Sequence, residues 1–136
     1  MNMIGKIVNL EKHGDERGEL IAIESLSEQI DFEIKRVYYL YDTLPGVIRG
    51  LHAHKCLKQM IVCTSGFCKI KLDDGTNSEI IVLNDPSKGL IIENNIWREM
   101  FDFSDDAVLM VLASEHYNES DYIRNYDDFL KFIGKK

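Results

Sequence analysis

Two histidines two residues apart, His52 and His54, sit in a stretch that opens at Gly46 and closes at Gly66. On an extended strand such residues project from the same face, so both imidazoles enter whatever the sheet encloses. Two bases sharing a pocket serve as metal ligands, as proton carriers or as packed polar groups. As proton carriers they suit neutral pH, because an unperturbed imidazole titrates near it. Arg49 lies three residues before His52 and on a regular strand would face the other way. Gly50 permits a bulge that re-aims it, and its guanidinium would then stabilise a developing enolate oxygen. Tyr39 and Tyr41 share one face of their strand and Tyr38 takes the other, so at least one phenol is available to stack on a sugar ring and donate a hydrogen bond. Lys55, Arg124, Arg17 and Arg98 are the candidate anion contacts, arginine as a fork and lysine as a point charge. Glu93 and Glu99 are further pocket candidates, since Gly89 to Phe103 reads as a strand pair facing the histidine strand.

The elements that must hold these groups read as short β segments. Ile4 to Leu10, Glu19 to Glu24, Ile34 to Tyr41, Lys58 to Cys63, Phe67 to Leu72, Glu79 to Leu83, Gly89 to Ile92 and Ala107 to Ala113 are rich in β-branched, leucine and aromatic residues. Turn-forming clusters separate them, clearest at Asp73-Asp74-Gly75, which marks a hairpin. Strands of this length and spacing predict a sandwich or barrel. One helix is expected, from about Tyr126 to Ile133, with Phe129, Phe132 and Ile133 on one side to pack across the barrel. Ile34, Val37, Tyr39 and Tyr41 do not alternate cleanly with polar residues, so this strand is expected to be covered twice, by its own barrel and by a second subunit or the C-terminal helix.

With 136 residues, 45% of them hydrophobic, one domain over 1–136 is expected. A net charge of -7 with sixteen scattered Lys and Arg gives no nucleic-acid footprint. No apolar run reaches membrane-spanning length and no basic-then-apolar leader opens the chain, so no membrane partner and a cytoplasmic location are expected. Cys56, Cys63 and Cys68 have no metal-clip spacing and are read as reduced packing residues.

The spacing from Gly46 through His52, His54 and Gln59 to Gly66 resembles the first motif of the cupin superfamily, which implies a jelly-roll β-barrel. Metal-binding cupins use a glutamate at the position of Gln59 and a further histidine on a later strand. Here that later segment has Trp97 and Arg98 and no histidine. A neutral amide is a poor ligand and an arginine repels a cation, so no metal and no other cofactor are expected.

The strings Arg36-Val37-Tyr38-Tyr39, Arg49-Gly50-Leu51-His52-Ala53-His54-Lys55, Leu72-Asp73-Asp74-Gly75, Trp97-Arg98-Glu99-Met100, Val111-Leu112-Ala113-Ser114 and Asp121-Tyr122-Ile123-Arg124 resemble the sugar 3,4-ketoisomerase family over about Lys6 to Phe132. The resemblance implies a metal-free isomerase that moves the keto group of dTDP-4-keto-6-deoxyglucose, a dTDP-linked 4-keto-6-deoxyhexose, from C4 to C3 through an enediolate. It makes His52 and His54 the acid–base pair and gives Arg49 and Tyr39 the polarisation of the ketone. Substrate contacts fall to Arg17, Gly18, Lys55, Trp97, Arg98, Glu99 and Arg124. The Arg17-Gly18 pair looks like the members that form the galacto epimer, dTDP-3-keto-6-deoxygalactose, a precursor of 3-amino sugars for surface polysaccharide. Arg98 departs from relatives with histidine after that tryptophan. A homodimer with exchanged N-terminal strands is also implied. The competing readings are a metal-dependent cupin oxygenase, a non-catalytic sugar-nucleotide binding module and a 3,5-epimerase on the same scaffold.

Overall fold

The computed structural model describes residues 4–135. The expected span of 1–136 therefore extends, at positions 1–3 and 136, outside the described residues. Among the described residues, ten strands form two antiparallel sheets. The first holds β1 (Lys6–Asn9), β7 (Lys88–Ile92), β4 (Gln59–Ser65), β9 (Val108–Ala113) and β2 (Arg36–Leu40), in that spatial order. The second is ordered β10 (Tyr122–Ile123), β3 (Arg49–His54), β8 (Trp97–Phe101), β5 (Cys68–Asp73) and β6 (Ser78–Leu83). Ile61, Leu90 and Val111 of the first sheet meet Ile70, Leu72 and Met100 of the second in one buried cluster. The fold is thus the mainly β, cupin-like sandwich that the alternation in β5 announces, where Cys68, Ile70 and Leu72 point in and Lys69 and Lys71 point out. Each such buried aliphatic side chain contributes roughly 1.5–3 kcal/mol relative to exposure.

The hairpin at Asp73-Asp74-Gly75 forms as expected. The Asp73 carboxylate accepts from the Gly75 N–H, that of Asp74 accepts from Thr76 and Asn77, and Gly75 takes φ +93°. Glu19–Glu24 departs from expectation because it pairs with neither sheet. Residues 10–34 instead lie as an arm over the outer face of the first sheet. Leu10, Ile21, Ile23, Ile30, Phe32 and Ile34 pack there on Met60, Val62 and Leu112, so their hydrophobic spacing reflects side-chain burial without a hydrogen-bonded ladder.

The helix α1 spans Tyr126–Phe132, capped by Asn125, whose side chain accepts from the Asp128 N–H, with Asp127 and Asp128 in its first turn. Phe129 docks with Ala53, Trp97 and Ile123 on the outer face of the second sheet. The helix therefore buttresses the histidine strand and leaves β2 alone. On the outer face of β2, Val37 and Tyr39 remain 54% and 64% exposed, so neither the helix nor the arm supplies the second cover expected for that strand.

Candidate active site

The two histidines stand on the inner face of β3, with Ala53 between them turned outward into the helix cluster. A bulge sets what joins them. Arg49 pairs with Met100 and His52 with Arg98, so between these pairs two residues of β3, Gly50 and Leu51, oppose one of β8, Glu99. The extra residue restores parity and brings Arg49 to the same face as His52. Gly50 makes this possible at φ +69°, with the Met100 side chain 3.3 Å from where a Cβ would stand.

A pocket of about 380 Å³ opens at this end of the sandwich, lined on one wall by Arg36, Tyr38 and Leu40 of β2. The other wall carries Arg49, His52, Met100, Tyr122 and Arg124. His52 is 8% exposed and faces the pocket, whereas His54 is 0% exposed and sits behind it. The rings meet edge to face at 4.7 Å, and Tyr122 covers both, 5.0 Å from His52 and 4.5 Å from His54. His54 Nδ1 lies 3.0 Å from Asp121 Oδ2. The same carboxylate accepts from the backbone N–H groups of Cys56 and Leu57, tying the ring to the turn after β3.

Burial, and then the Arg98 guanidinium, push the His52 imidazole down to about 2 and the His54 imidazole down to about 3. Both rings are neutral at pH 7. His54 Nδ1–H consequently donates to Asp121, which leaves Nε2 as a lone-pair acceptor. Arg98 is completely buried, and burial pulls its own guanidinium down to about 10, still charged at neutral pH. It donates from Nη2 to the Ile96 carbonyl at 2.8 Å, while its Nε and Nη1 take no partner from the protein.

The Nε2 atoms of His52 and His54 and both amide atoms of Gln59 are likewise buried and unpartnered. Gln59 lies in one cross-strand row with Ala113 and Arg36, whose Nε is also unpartnered. Buried polar groups almost always have partners, so a concentration of free ones marks a place where water or a ligand enters. At the mouth, Arg124 stacks over Tyr122 at 4.3 Å and is held by Glu119 at 2.8 and 2.9 Å. Arg36, Arg49 and Arg124 make that mouth cationic, and the Arg124 contact holds the Glu119 carboxyl down to about 2. Lys55 lies in an adjoining depression that shares Tyr122 and Arg124, its Nζ over the Phe132 ring at 5.7 Å.

The structure thus brings together His52, His54, Arg49, Arg98 and Arg124, with Lys55 next door. The structure places the remaining candidates away from this pocket. The phenol facing the pocket is that of Tyr38; Tyr39 points outward beside Tyr41, because the apolar run Val37-Tyr38-Tyr39-Leu40 hides which parity is inward. Trp97 and Glu99 occupy the outer face of β8, where the Trp97 indole donates to Glu99 Oε2 at 3.1 Å under the helix. Arg17 and Gly18 form an exposed turn outside this pocket, where Arg17 pairs with Asp15. Glu93 is also exposed and pairs with Lys58. Sequence reasoning missed Arg36, Tyr38, Gln59, Asp121 and Tyr122 as site residues. Tyr122 and Arg124, two apart on an extended segment, were the available signal. Among the described residues no three His, Cys, Asp or Glu side chains gather as a metal site, and no helix is long and apolar enough to cross a membrane.

Comparison with known proteins agrees with this architecture. A family model described as FdtA, WxcM-like, C-terminal, matches residues 3–134. A TDP-4-oxo-6-deoxy-α-D-glucose-3,4-oxoisomerase of Aneurinibacillus thermoaerophilus is 50% identical over 133 residues, covering 98% of this chain and 95% of its own. A crystal structure of a 3,4-ketoisomerase from Helicobacter canadensis superimposes with a TM-score of 0.94 at 51% identity, over 98% of this chain and 100% of that one. The WlaRB TDP-quinovose 3,4-ketoisomerase of Campylobacter jejuni gives 0.89 at 54% identity, over 93% and 97%.

Proposed function

The chain belongs to the FdtA family of sugar 3,4-ketoisomerases and is an isomerase, and from that premise we propose that it carries the keto group of TDP-4-keto-6-deoxyglucose from C4 to C3 with His52 as the base. The observation that carries the assignment is the position of His52. It is the imidazole that reaches the open pocket, it is neutral, and buried guanidinium lies beside it. His52 removes the C3 proton, and Arg98 and Arg49 stabilise the negative charge that develops on the C4 oxygen. His54, fixed by Asp121, supports the base from behind. Acid–base catalysis of this kind contributes roughly 10²- to 10⁴-fold, with positioning and oxyanion stabilisation supplying the rest.

The arginines at the mouth, with Lys55, take the diphosphate. A bound dianion also opposes the arginine fields that hold the imidazoles down, so substrate itself raises the basicity of His52. Catalysis needs no metal or other cofactor in this scheme. The proposal includes one domain over 1–136, a cytoplasmic location and a homodimer. The uncovered outer face of β2, with exposed Val37, Tyr39 and Tyr41, supports a second copy there.

Two readings of the product differ at C4. Arg17-Gly18 carries the galacto reading, and since one chain keeps that turn outside the pocket, it requires an exchanged N-terminal segment to deliver the pair to a partner. The gluco reading is supported by the likeness to a TDP-quinovose 3,4-ketoisomerase, quinovose being 6-deoxyglucose. The test of the reaction is proton NMR of TDP-4-keto-6-deoxyglucose incubated with metal-stripped enzyme. A 3-keto sugar is expected; its absence with folded protein, or activity that returns only with added metal, overturns the reading.

A further inference from the structure

The pocket has an apolar corner made by Leu40, Leu51 and Met100. Two of these side chains close the packed interior: Met100 is buried within the central cluster, and Leu40 packs against it. Leu51 belongs to the bulge of β3 and is 46% exposed. Register gathers the three around one point. Met100 pairs with Arg49 and packs over Gly50, its atoms 3.3 Å from where a Cβ would stand there. Leu51 is the next residue of β3, and Leu40 ends the facing strand β2.

The proposed reaction fixes how a sugar lies against this corner. The second sheet runs β10, β3, β8, so His52 has Arg124 on its β10 flank and Arg98 on its β8 flank. With the diphosphate on Arg124 and Lys55, C1 takes the β10 side. C4 is the opposite corner of a pyranose ring, and its oxygen falls to Arg98 and Arg49 on the β8 side. C3 stands at His52, and C5 follows C4 on the side away from C3. The exocyclic C6 carried by C5 therefore lies just past Arg98. Met100 is two residues on from Arg98 along β8 and shares its inward face, with Leu40 and Leu51 alongside.

We propose that Leu40, Leu51 and Met100 form the subsite for the C6 methyl group and make the enzyme selective for 6-deoxyhexoses over hexoses with a hydroxyl at C6. The inference rests on the proposed reaction, because His52 and the arginines set the orientation of the ring. A methyl group leaves water for this corner favourably. A hydroxymethyl group there gives up hydration to two alkyl chains and a thioether, which is only a weak acceptor. Arg49, the nearest strong donor, is engaged by the C4 oxygen. Selectivity thus comes from the end of the hydrophobic core, which doubles as a wall of the pocket.

The test is calorimetric binding of TDP-6-deoxyglucose and TDP-glucose, which differ by one oxygen at C6, to the unchanged enzyme, Leu51→Asn and Met100→Gln. The unchanged enzyme is expected to bind TDP-6-deoxyglucose at least about 10-fold more tightly, within the range by which an apolar pocket rejects an added hydroxyl. Each variant should bring the two affinities to within about threefold of one another, mainly by weakening the 6-deoxy ligand, while TDP alone binds all three proteins equally. Leu51 is exposed enough that Leu51→Asn keeps the test open if Met100→Gln fails to fold. Equal affinities in the unchanged enzyme overturn the subsite, as does a ratio that no folded variant alters. Loss of TDP affinity equal to the loss for TDP-6-deoxyglucose also overturns it, since the effect then lies at the nucleotide. Conversion of TDP-4-keto-6-deoxyglucose by the unchanged enzyme is followed in parallel. Its absence overturns the reaction on which the inference rests, whereas conversion with equal affinities places the failure in the subsite alone.

Discussion

The two ends of the same sandwich interior are built on opposite principles. At one end Cys63 and Leu109 of the first sheet face Cys68 and Leu83 of the second, all within 1% of complete burial. Their chemistry is spent inside the protein: the Cys63 thiol donates to the Ser65 carbonyl at 3.2 Å, and the contact with Cys63, then burial, push the Cys68 thiol up, far from ionisation. At the other end the interior holds two imidazoles, two guanidinium groups, an amide and two phenols, several of them without protein partners. The first end closes the fold and the second leaves it unfinished, because unpaired buried donors and acceptors are costly unless something else completes them. Stability and function are therefore separable along one barrel axis.

The largest expected effect breaks the polar end alone. His52→Asn should lower turnover by about 10²- to 10⁴-fold with little change in thermal midpoint, since one polar planar group replaces another; full activity in this variant removes His52 from the mechanism. The converse variant, Ile70→Ala at the packed centre, should cost about 2–5 kcal/mol in denaturant unfolding while kcat per folded molecule stays within twofold. Asp121→Asn weakens the anchor of His54 without touching substrate and should lower turnover by roughly 10- to 100-fold, with the loss in kcat larger than the change in KM; an unchanged kcat assigns that carboxylate to the backbone turn only.

The smallest effect sharpens the comparison. Arg98→Met removes a buried charge, so stability should rise by about 1 kcal/mol or more while activity falls, and NMR titration should show both imidazoles moving up. The pH dependence follows from the sign of these shifts. Each histidine is held below its unfolded value of 6.5, so the unfolded chain binds more protons in acid, and the contribution to stability is complete above 6.5 and lost as pH falls towards 3 and below. Arg98→Met should narrow that window from its acid side.

Much of this was legible from the chain. The histidine pair, the hairpin at Gly75, the capped terminal helix and the strand-rich pattern all follow from local periodicity and turn chemistry, and Gly50 correctly signalled the bulge that re-aims Arg49. What was hidden depended on parity and on distance along the chain. Val37 to Leu40 is apolar throughout, so nothing local says that Tyr38 faces in. Trp97 and Glu99 alternate with Arg98, and only the docking of α1 decides which set is interior. Asp121 reaches His54 across 67 residues, a contact made by the β10–β3 pairing and absent from any local pattern. The arm over residues 10–34 has strand-like composition because it packs on a sheet, and composition does not distinguish that from joining one.

The most direct measurement of the central claim is solvent exchange at C3 of TDP-4-keto-6-deoxyglucose in deuterated water, followed by NMR for the unchanged enzyme and for His52→Asn at equal folded concentration. The account predicts rapid loss of the C3 proton signal and appearance of the 3-keto sugar with the former, and exchange slower by at least about 100-fold with the latter. Equal exchange by both proteins would contradict it, because the base at the open pocket would then be some other group.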